Sequence, residues 1–139
     1  YRKCYGYYMY KHDTYSNKYK PKIHKIISDI LIKYSSAFPM FGFGLSVEDT
    51  GYNFLLYKGS EKGEYKEHVD HLDIYPRLIS ISLILNDDYD GGDFCFCDKN
   101  IIIKKKKGSA VVFPSNFCFP HAVSPVSNGD RYSIVTWIQ

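Results

Sequence analysis

The chain has 139 residues, of which 45% are hydrophobic, 24% are charged and 17% are aromatic, and its formal net charge is +3. This length suits a single domain over residues 1–139 with a buried core, and the composition excludes a disordered or collagen-like chain. No stretch approaches the roughly twenty consecutive apolar residues of a membrane-spanning helix. We therefore expect a globular protein without a membrane span.

The cysteine pattern bears on metal binding and on the redox compartment. Cys95 and Cys97 form a Cys-x-Cys that lacks the second pair a structural zinc site needs, and Cys4 and Cys118 are isolated. We interpret the cysteines as small apolar side chains in a reducing compartment, which favours a cytoplasmic protein. The chain begins at Tyr1 rather than at a methionine, which leaves room for a preceding segment, a targeting signal included.

The first region with a clear period follows Pro21. Apolar residues recur at helical spacing from Ile23 to Tyr34, and a proline suits the first turn of a helix. The pattern predicts one amphipathic helix over about residues 22–35, with its isoleucine face packed on a sheet. Residues 1–20 are rich in tyrosine and lysine but show no clean period.

Short β-branched and aromatic runs, separated by turn residues, follow the helix. They predict eight strands, at residues 52–57, 65–69, 78–85, 92–96, 101–104, 109–113, 121–126 and 131–138. A succession of short strands after one helix predicts a mainly β fold, either a double-stranded β-helix (jelly roll) or a closed barrel, with the helix packed on it.

Four consecutive lysines at 104–107 contribute much of the positive charge. Such a run could attract nucleic acid or an acidic substrate. It is more typical of a solvated turn or of a charged strand edge that prevents aggregation. Nucleic acid therefore stays a secondary candidate substrate.

The pair His68 and Asp70 is the strongest chemical signal. Residues two apart on an extended segment point to the same face, so both side chains can bind one metal ion. One further histidine would complete the two-histidine, one-carboxylate set of non-haem iron(II) sites. His121 is the candidate, brought to His68 across the barrel. Arg131, on the last strand, could grip a carboxylate with two parallel hydrogen bonds.

A series of short motifs runs in order from residue 52 to residue 139. It comprises Leu55-Leu56-Tyr57, Gly63, Tyr65, His68-Val69-Asp70, Arg77, Leu85-Asn86, Gly91-Gly92-Asp93-Phe94, Gly108-Ser109-Ala110-Val111-Val112-Phe113-Pro114, His121, Arg131 and Trp137. The set resembles the 2-oxoglutarate- and iron(II)-dependent dioxygenases, in particular the prolyl 4-hydroxylase-like branch. His71 and Asp73 repeat the two-residue spacing and form a rival pair, but Tyr65 precedes His68 at the family's spacing.

The resemblance implies roles for individual residues. His68, Asp70 and His121 would bind iron(II), and Arg131 would pair with the distal carboxylate of 2-oxoglutarate. Tyr57 matches a tyrosine of the cosubstrate pocket. In the substrate region, Arg77 matches an arginine at the mouth of the site and Trp137 matches an aromatic residue near the metal. Some relatives place a further cosubstrate-contacting tyrosine where this chain has Leu83 and Ile84.

The resemblance also implies the chemistry. Oxidative decarboxylation of 2-oxoglutarate to succinate would be coupled to hydroxylation of a protein or peptide side chain, with proline the first candidate and ascorbate a candidate accessory reductant. Asp70 favours hydroxylation, because halogenating relatives lack this carboxylate. A non-catalytic jelly-roll binding module is the alternative from a different class.

Overall fold

The computed structural model describes residues 1–9, 13–42, 48–72, 74 and 76–139. Within them, the strands are β1 Arg2–Lys3, β2 Tyr5–Tyr8, β3 Asn53–Lys58, β4 Glu64–His68, β5 Ile79–Ile84, β6 Asp90–Gly91, β7 Phe94–Phe96, β8 Ile101–Ile103, β9 Ala110–Pro114, β10 His121–Val123, β11 Val126–Asn128 and β12 Asp130–Ile138. The helix α1 spans Thr14–Ala37, and short 3-10 helices span Pro39–Gly42 and Gly59–Glu61. No helix in the described ranges is long and apolar enough to cross a membrane.

Two five-stranded antiparallel sheets form the body of the protein. Sheet A has the order β1-β4-β10-β7-β8, and sheet B has the order β2-β3-β12-β5-β9. One buried cluster contains Tyr57 and Phe113 from sheet B together with Phe94 and Val123 from sheet A, so the two sheets face each other across a shared core. The expected mainly β chain with one helix is confirmed, and two facing antiparallel sheets are the arrangement of a jelly roll.

The helix begins earlier than its periodicity predicted. It starts at Thr14, where the Asp13 carboxylate accepts a hydrogen bond of 2.7 Å from the Ser16 backbone N–H and caps the first turn. Pro21 therefore lies inside the helix, and the prediction that it opens the first turn is wrong. The cap could not be read from the apolar period, because the first turns carry mainly polar residues and exposed tyrosines.

A second buried cluster joins the helix to sheet B. It contains Ile23 and Ile27 of α1 together with Ile79 of β5 and Ile138 of β12. In β5, Ser80 and Ser82 line a cavity, whereas Ile79 and Leu83 belong to this second cluster. Sheet B therefore has one face against the shared core and one against the helix.

All eight predicted strands are present, but the strand predicted at 121–126 is two strands. β10 belongs to sheet A, whereas β11 pairs with β6 in a separate two-stranded sheet. The break falls at Pro125, which has no N–H to continue a ladder and whose carbonyl oxygen accepts from the Gly92 N–H. Strands β1, β2 and β6 had no clear pattern and were also not predicted.

The lysine run follows β8, an edge strand of sheet A. Lys105 Nζ donates to the carbonyl oxygens of Tyr89 and Gly91, at 2.8 and 3.0 Å, and lies over the Tyr89 ring. One lysine of the run thus stabilises a turn of the protein, as the turn-or-edge interpretation expects. All four cysteines are free thiols.

Candidate active site

The structure brings His68, Asp70 and His121 together. Strands β4 and β10 pair antiparallel with His121 opposite His68, and Asp70 follows the end of β4 by two residues. The Nε2 atoms of His68 and His121 lie 3.5 and 3.4 Å from the Asp70 carboxylate oxygens, and one ligand atom from each residue lies within 4.8 Å of the others. The histidines are neighbours in one sheet, so the expectation that they meet across the barrel is wrong.

Backbone carbonyl groups fix the orientation of both imidazoles. His68 Nδ1 lies 2.9 Å from the Lys66 carbonyl oxygen, and His121 Nδ1 lies 3.1 Å from that of Phe119. Because a carbonyl oxygen can only accept, each Nδ1 carries the proton. Each Nε2 then directs its lone pair towards Asp70, the tautomer that a metal ligand requires.

Aromatic rings hold the two imidazoles from the sides. Tyr65 stacks on His68 with ring centroids 3.6 Å apart, and Phe94 stacks on His121 at 5.3 Å. Phe113 meets His121 edge-on at 4.7 Å. His121 is only 4% exposed, so its ring cannot turn without repacking this aromatic cluster.

Polar partners keep the buried Asp70 carboxylate ionised. Burial alone would raise the pKa of Asp70, but its contacts with His68, His121, Trp137 and Ser80 outweigh burial and lower the pKa to about 2. Ser80 Oγ donates to Asp70 Oδ2 at 2.7 Å and lies 2.8 Å from Ser115 Oγ. Burial, partly offset by Asp70, lowers the pKa of His121 and keeps its imidazole neutral.

These residues open into a cavity of about 370 Å³ between the two sheets. Its polar and charged lining residues are Arg2, Asn53, Tyr57, Tyr65, His68, Asp70, Arg77, Ser80, Ser82, His121, Arg131 and Ser133. Every candidate site residue from the sequence, Trp137 included, lines this one cavity.

Arg131 lies on β12 in sheet B, facing the sheet of the histidines. It is only 2% exposed, and Nη1 donates to Ser133 Oγ at 2.9 Å. Its Nε has no hydrogen-bond partner, and no described carboxylate forms a salt bridge with it. A buried guanidinium without an anion is costly, so this side chain is poised for an anionic ligand.

Tyr57 lies beneath this guanidinium. The Arg131 Cζ atom is 5.0 Å from the centroid of the Tyr57 ring, which is 1% exposed. Burial is the main cause of the raised pKa of Tyr57, so the phenol stays neutral and can donate a hydrogen bond. Gly92 permits the packing, because a Cβ there would come within 3.2 Å of Arg131 Cδ.

Arg77 and Trp137 lie against each other beside Asp70. The Arg77 guanidinium is 3.7 Å from the centroid of the indole ring, and Nη1 lies 3.3 Å from the Asp70 carbonyl oxygen. Trp137 also helps to lower the pKa of the Asp70 carboxylate, an interaction that its expected place in the substrate region did not include.

Only one member of the rival pair lies among the described residues. His71 is exposed and is absent from the three-residue group, and Asp73 lies outside the described residues. Sequence reasoning missed Ser80 and Ser115. The alternation of isoleucine and serine at 79–82 was the one available signal that Ser80 faces the interior.

The donor set can hold a metal ion and the cavity can hold a dicarboxylate. Two imidazole nitrogens and one carboxylate oxygen on one side of a site are typical of non-haem iron(II), and they leave further coordination positions open. Arg131, buried and without an anionic partner, suits the distal carboxylate of 2-oxoglutarate. The residues present therefore fit both groups.

Comparisons with known proteins agree with this chemistry. Curated relatives include a PKHD-type hydroxylase of Prochlorococcus marinus (strain NATL2A), 31% identical over 84% of this chain and 50% of the relative, and one of Psychrobacter sp., 36% identical over 52% of this chain and 29% of the relative. The chain thus spans half or less of the length of these relatives.

Solved structures show the same fold. A Pseudomonas putida prolyl-4-hydroxylase matches with a TM-score of 0.74 at 21% identity, covering 99% of this chain and 72% of that one. A Trichoplax adhaerens prolyl hydroxylase, in complex with a hypoxia inducible factor oxygen degradation domain peptide fragment, matches with a TM-score of 0.76 at 18% identity. The match covers 99% of this chain and 63% of that one. The model of the 2OG-Fe(II) oxygenase superfamily matches residues 52–139, which contain the three ligand candidates and Arg131. The chain belongs to this superfamily, and iron(II) and 2-oxoglutarate are the two groups that its site fits.

Proposed function

We propose that the protein is an iron(II)- and 2-oxoglutarate-dependent dioxygenase that hydroxylates a protein or peptide side chain, with proline the first candidate. One observation carries the proposal: a cluster of two histidines and one ionised carboxylate shares a cavity with a buried arginine that has no described anionic partner. Residues 1–139 form one oxygenase domain in this proposal.

His68 Nε2, Asp70 and His121 Nε2 hold iron(II) in the proposed site. Bound iron(II) and 2-oxoglutarate would supply the chemistry with dioxygen as the oxidant: one oxygen atom would enter succinate as the cosubstrate loses carbon dioxide, and the other would enter a C–H bond of the substrate. The carbonyl groups of Lys66 and Phe119 fix the orientation of the two imidazoles, and the contacts of Asp70 with Ser80 and its other neighbours keep this carboxylate ionised. These contacts orient the ligands before the metal arrives.

Arg131 holds the distal carboxylate of 2-oxoglutarate at the sheet-B side of the cavity. Its partnerless Nε and the buried surroundings favour a charge-assisted hydrogen bond over one to water. Tyr57 lies beneath the guanidinium and lines the same end of the cavity. Arg77 and Trp137 lie beside Asp70, where the substrate approaches the metal in this proposal.

The choice of a peptide and of proline is supported by the names of similar proteins. Curated relatives are PKHD-type hydroxylases and a mouse prolyl 3-hydroxylase 2, and the similar folds include prolyl hydroxylases, one of them bound to a peptide fragment. Four free thiols suit a reducing, cytoplasmic compartment. Nucleic acid is not favoured, because Lys105 of the lysine run is engaged by Tyr89 and Gly91.

The test is to incubate the protein with iron(II), 2-oxoglutarate, ascorbate and a library of proline-containing peptides. We expect succinate, together with a peptide mass increase of one oxygen atom detected by mass spectrometry. Asp70→Ala and His121→Ala should abolish both signals, because each removes a proposed metal ligand. His71→Ala, an exposed neighbour, should retain most of the activity. Equal damage from His71→Ala and His68→Ala would show that the ligand pair is assigned wrongly.

A further inference from the structure

The mouth of the cavity carries two arginines that the proposed chemistry leaves without a counter-charge. Arg2 of β1 lies beside Tyr65 of β4, its pairing partner, with the guanidinium 5.3 Å from the tyrosine ring centroid. Arg77 lies on Trp137, and both arginines line the same cavity. Among the residues that the structure describes, no carboxylate forms a salt bridge with either guanidinium.

The two guanidiniums lie beside the ligand candidates. Arg2 lies over the ring of Tyr65, which stacks on His68 with ring centroids 3.6 Å apart, and Arg77 lies over the ring of Trp137. Arg2 Nε is held by Cys4 Sγ at 2.9 Å and Arg77 Nη1 by the Asp70 carbonyl oxygen at 3.3 Å, so both side chains are anchored beside the mouth.

A count of charges shows the imbalance. Asp70 is the one carboxylate among the described lining residues. With iron(II) and the doubly charged cosubstrate bound, Asp70 and Arg131 bring the inner site to neutrality. Among the described lining residues, Arg2 and Arg77 then remain as two positive charges without a counter-charge. Charges arranged in this way attract and orient a partner of opposite sign.

We propose that the substrate of this enzyme is a peptide segment with an acidic side chain beside the residue that is oxidised, and that Arg2 and Arg77 bind this carboxylate. The inference rests on the proposed function and specifies its substrate class. Arginine suits this role because its planar group can bind a carboxylate through two hydrogen bonds. Arg2 is largely exposed, so the ion pair between its guanidinium and the substrate carboxylate is screened by water and salt.

The test separates binding from chemistry. Fluorescently labelled peptides contain one proline and a single aspartate, placed up to two residues before or after it, and each has a partner peptide with asparagine in that place. Binding is measured by fluorescence anisotropy with Mn(II) and 2-oxoglutarate, so that no turnover occurs. We expect at least one aspartate peptide to bind about fivefold more tightly than its asparagine partner, the size of an exposed ion pair.

Variants identify the residues responsible. Arg2→Gln and Arg77→Gln should each reduce the aspartate preference, and Arg2→Glu, which leaves these two positions with no net charge, should abolish it. Lys3→Gln is the matched control, because Lys3 is the exposed neighbour of Arg2 on β1 and does not line the cavity. It should leave the preference unchanged. Raising the salt concentration should weaken the preference in the wild-type protein.

Each result has one meaning. Equal binding of all peptide pairs, binding of no peptide, or a preference that survives both arginine variants overturns the inference, as does its loss in Lys3→Gln. Hydroxylation is measured separately with iron(II) by mass spectrometry. Aspartate-selective binding without any hydroxylation would contradict the proposed proline chemistry and support the proposed binding of an acidic side chain. Hydroxylation without aspartate selectivity would support the proline chemistry and contradict the binding of an acidic side chain.

Discussion

At the scale of single residues, the Asp70 carboxylate depends on Ser80. The hydroxyl donates to Asp70 Oδ2 at 2.7 Å inside a buried strand, and it is tied in turn to Ser115. Contacts of this kind fix the direction in which a ligating carboxylate presents its lone pairs. The site therefore extends to a serine that is not a ligand candidate itself but orients one.

Ser80→Ala should weaken metal binding while the protein stays folded. The change removes one hydrogen bond to Asp70, and losses of such supporting contacts typically lower metal affinity by about tenfold or more. Titration with Co(II), followed by its absorption spectrum, measures the affinity. Ser82→Ala is the control, since Ser82 lies on the same strand and lines the same cavity without a hydrogen bond to Asp70. Equal affinities of the two variants would contradict the role given to Ser80.

Arg131→Met should separate the stability of the protein from its response to cosubstrate. The buried guanidinium has no described anionic partner, so replacing it with an apolar side chain should cost the ligand-free protein little stability. Wild-type protein with Mn(II) should gain about 2.7 kcal/mol when 2-oxoglutarate is present at 100 times its Kd, and the variant should lose most of this gain. Thermal unfolding measures the stability of the ligand-free protein and the gain in stability with 2-oxoglutarate.

The control for this experiment is Lys106→Met, which removes an exposed cation and should keep the full gain. A variant of Arg131 that is still stabilised by 2-oxoglutarate to the wild-type extent would show that the distal carboxylate is bound elsewhere.

The residues of the site were only partly predictable. The spacing of His68 and Asp70 predicted a ligand pair, whereas the roles of His121 and Arg131 depended largely on the family resemblance. Ser80 could not be predicted, because a serine in a buried strand has no distinctive spacing and its role depends on a contact with Asp70 ten residues away. Trp137 was placed near the metal, but its interaction with Asp70 appears only in three dimensions.

At the scale of elements, the position of Pro21 inside α1 has an energetic consequence. A proline in a helix interior lacks the N–H for the hydrogen bond to the residue four positions earlier, and its ring crowds that carbonyl. The prediction of a helix starting after Pro21 rested on this rule. It failed because Asp13 caps the earlier first turn and the Ser16 side chain, which donates to the same carboxylate, is fully buried there.

Pro21→Ala should therefore stabilise the protein, by up to about 3 kcal/mol on helix propensities. Denaturant unfolding followed by far-UV circular dichroism measures the gain. Pro39→Ala is the control, because Pro39 begins a short 3-10 helix, where a missing N–H costs little, and should shift the transition much less. Destabilisation by Pro21→Ala would mean that the helix requires the bend or rigidity that the proline supplies.

At the scale of the whole molecule, sheet B connects the helix to the site. One of its faces packs on α1, and the other carries Arg131 and Ser80 into the cavity. The order of strands in both sheets, including the β4–β10 pairing that joins His68 to His121, could not be predicted, because it depends on contacts between residues far apart in the chain. Local alternation predicts that strands exist but not which strands are neighbours.

Ile27→Ala tests whether the helix, sheet B and the site unfold together. Ile27 is 2% exposed in the cluster between α1 and sheet B, so its truncation should lower the free energy of unfolding by about 2–5 kcal/mol. Ile26→Ala is the control, because this neighbour is 48% exposed and its truncation should lower the free energy of unfolding far less.

Far-UV circular dichroism reports mainly the helix. The fluorescence of Trp137, the one tryptophan of the chain, reports the site. If the helix is part of the cooperative unit, both signals should change at the same denaturant concentration in wild type and shift together in Ile27→Ala. Loss of helix before any change in Trp137 fluorescence would instead show that α1 detaches from a sheet whose site stays intact.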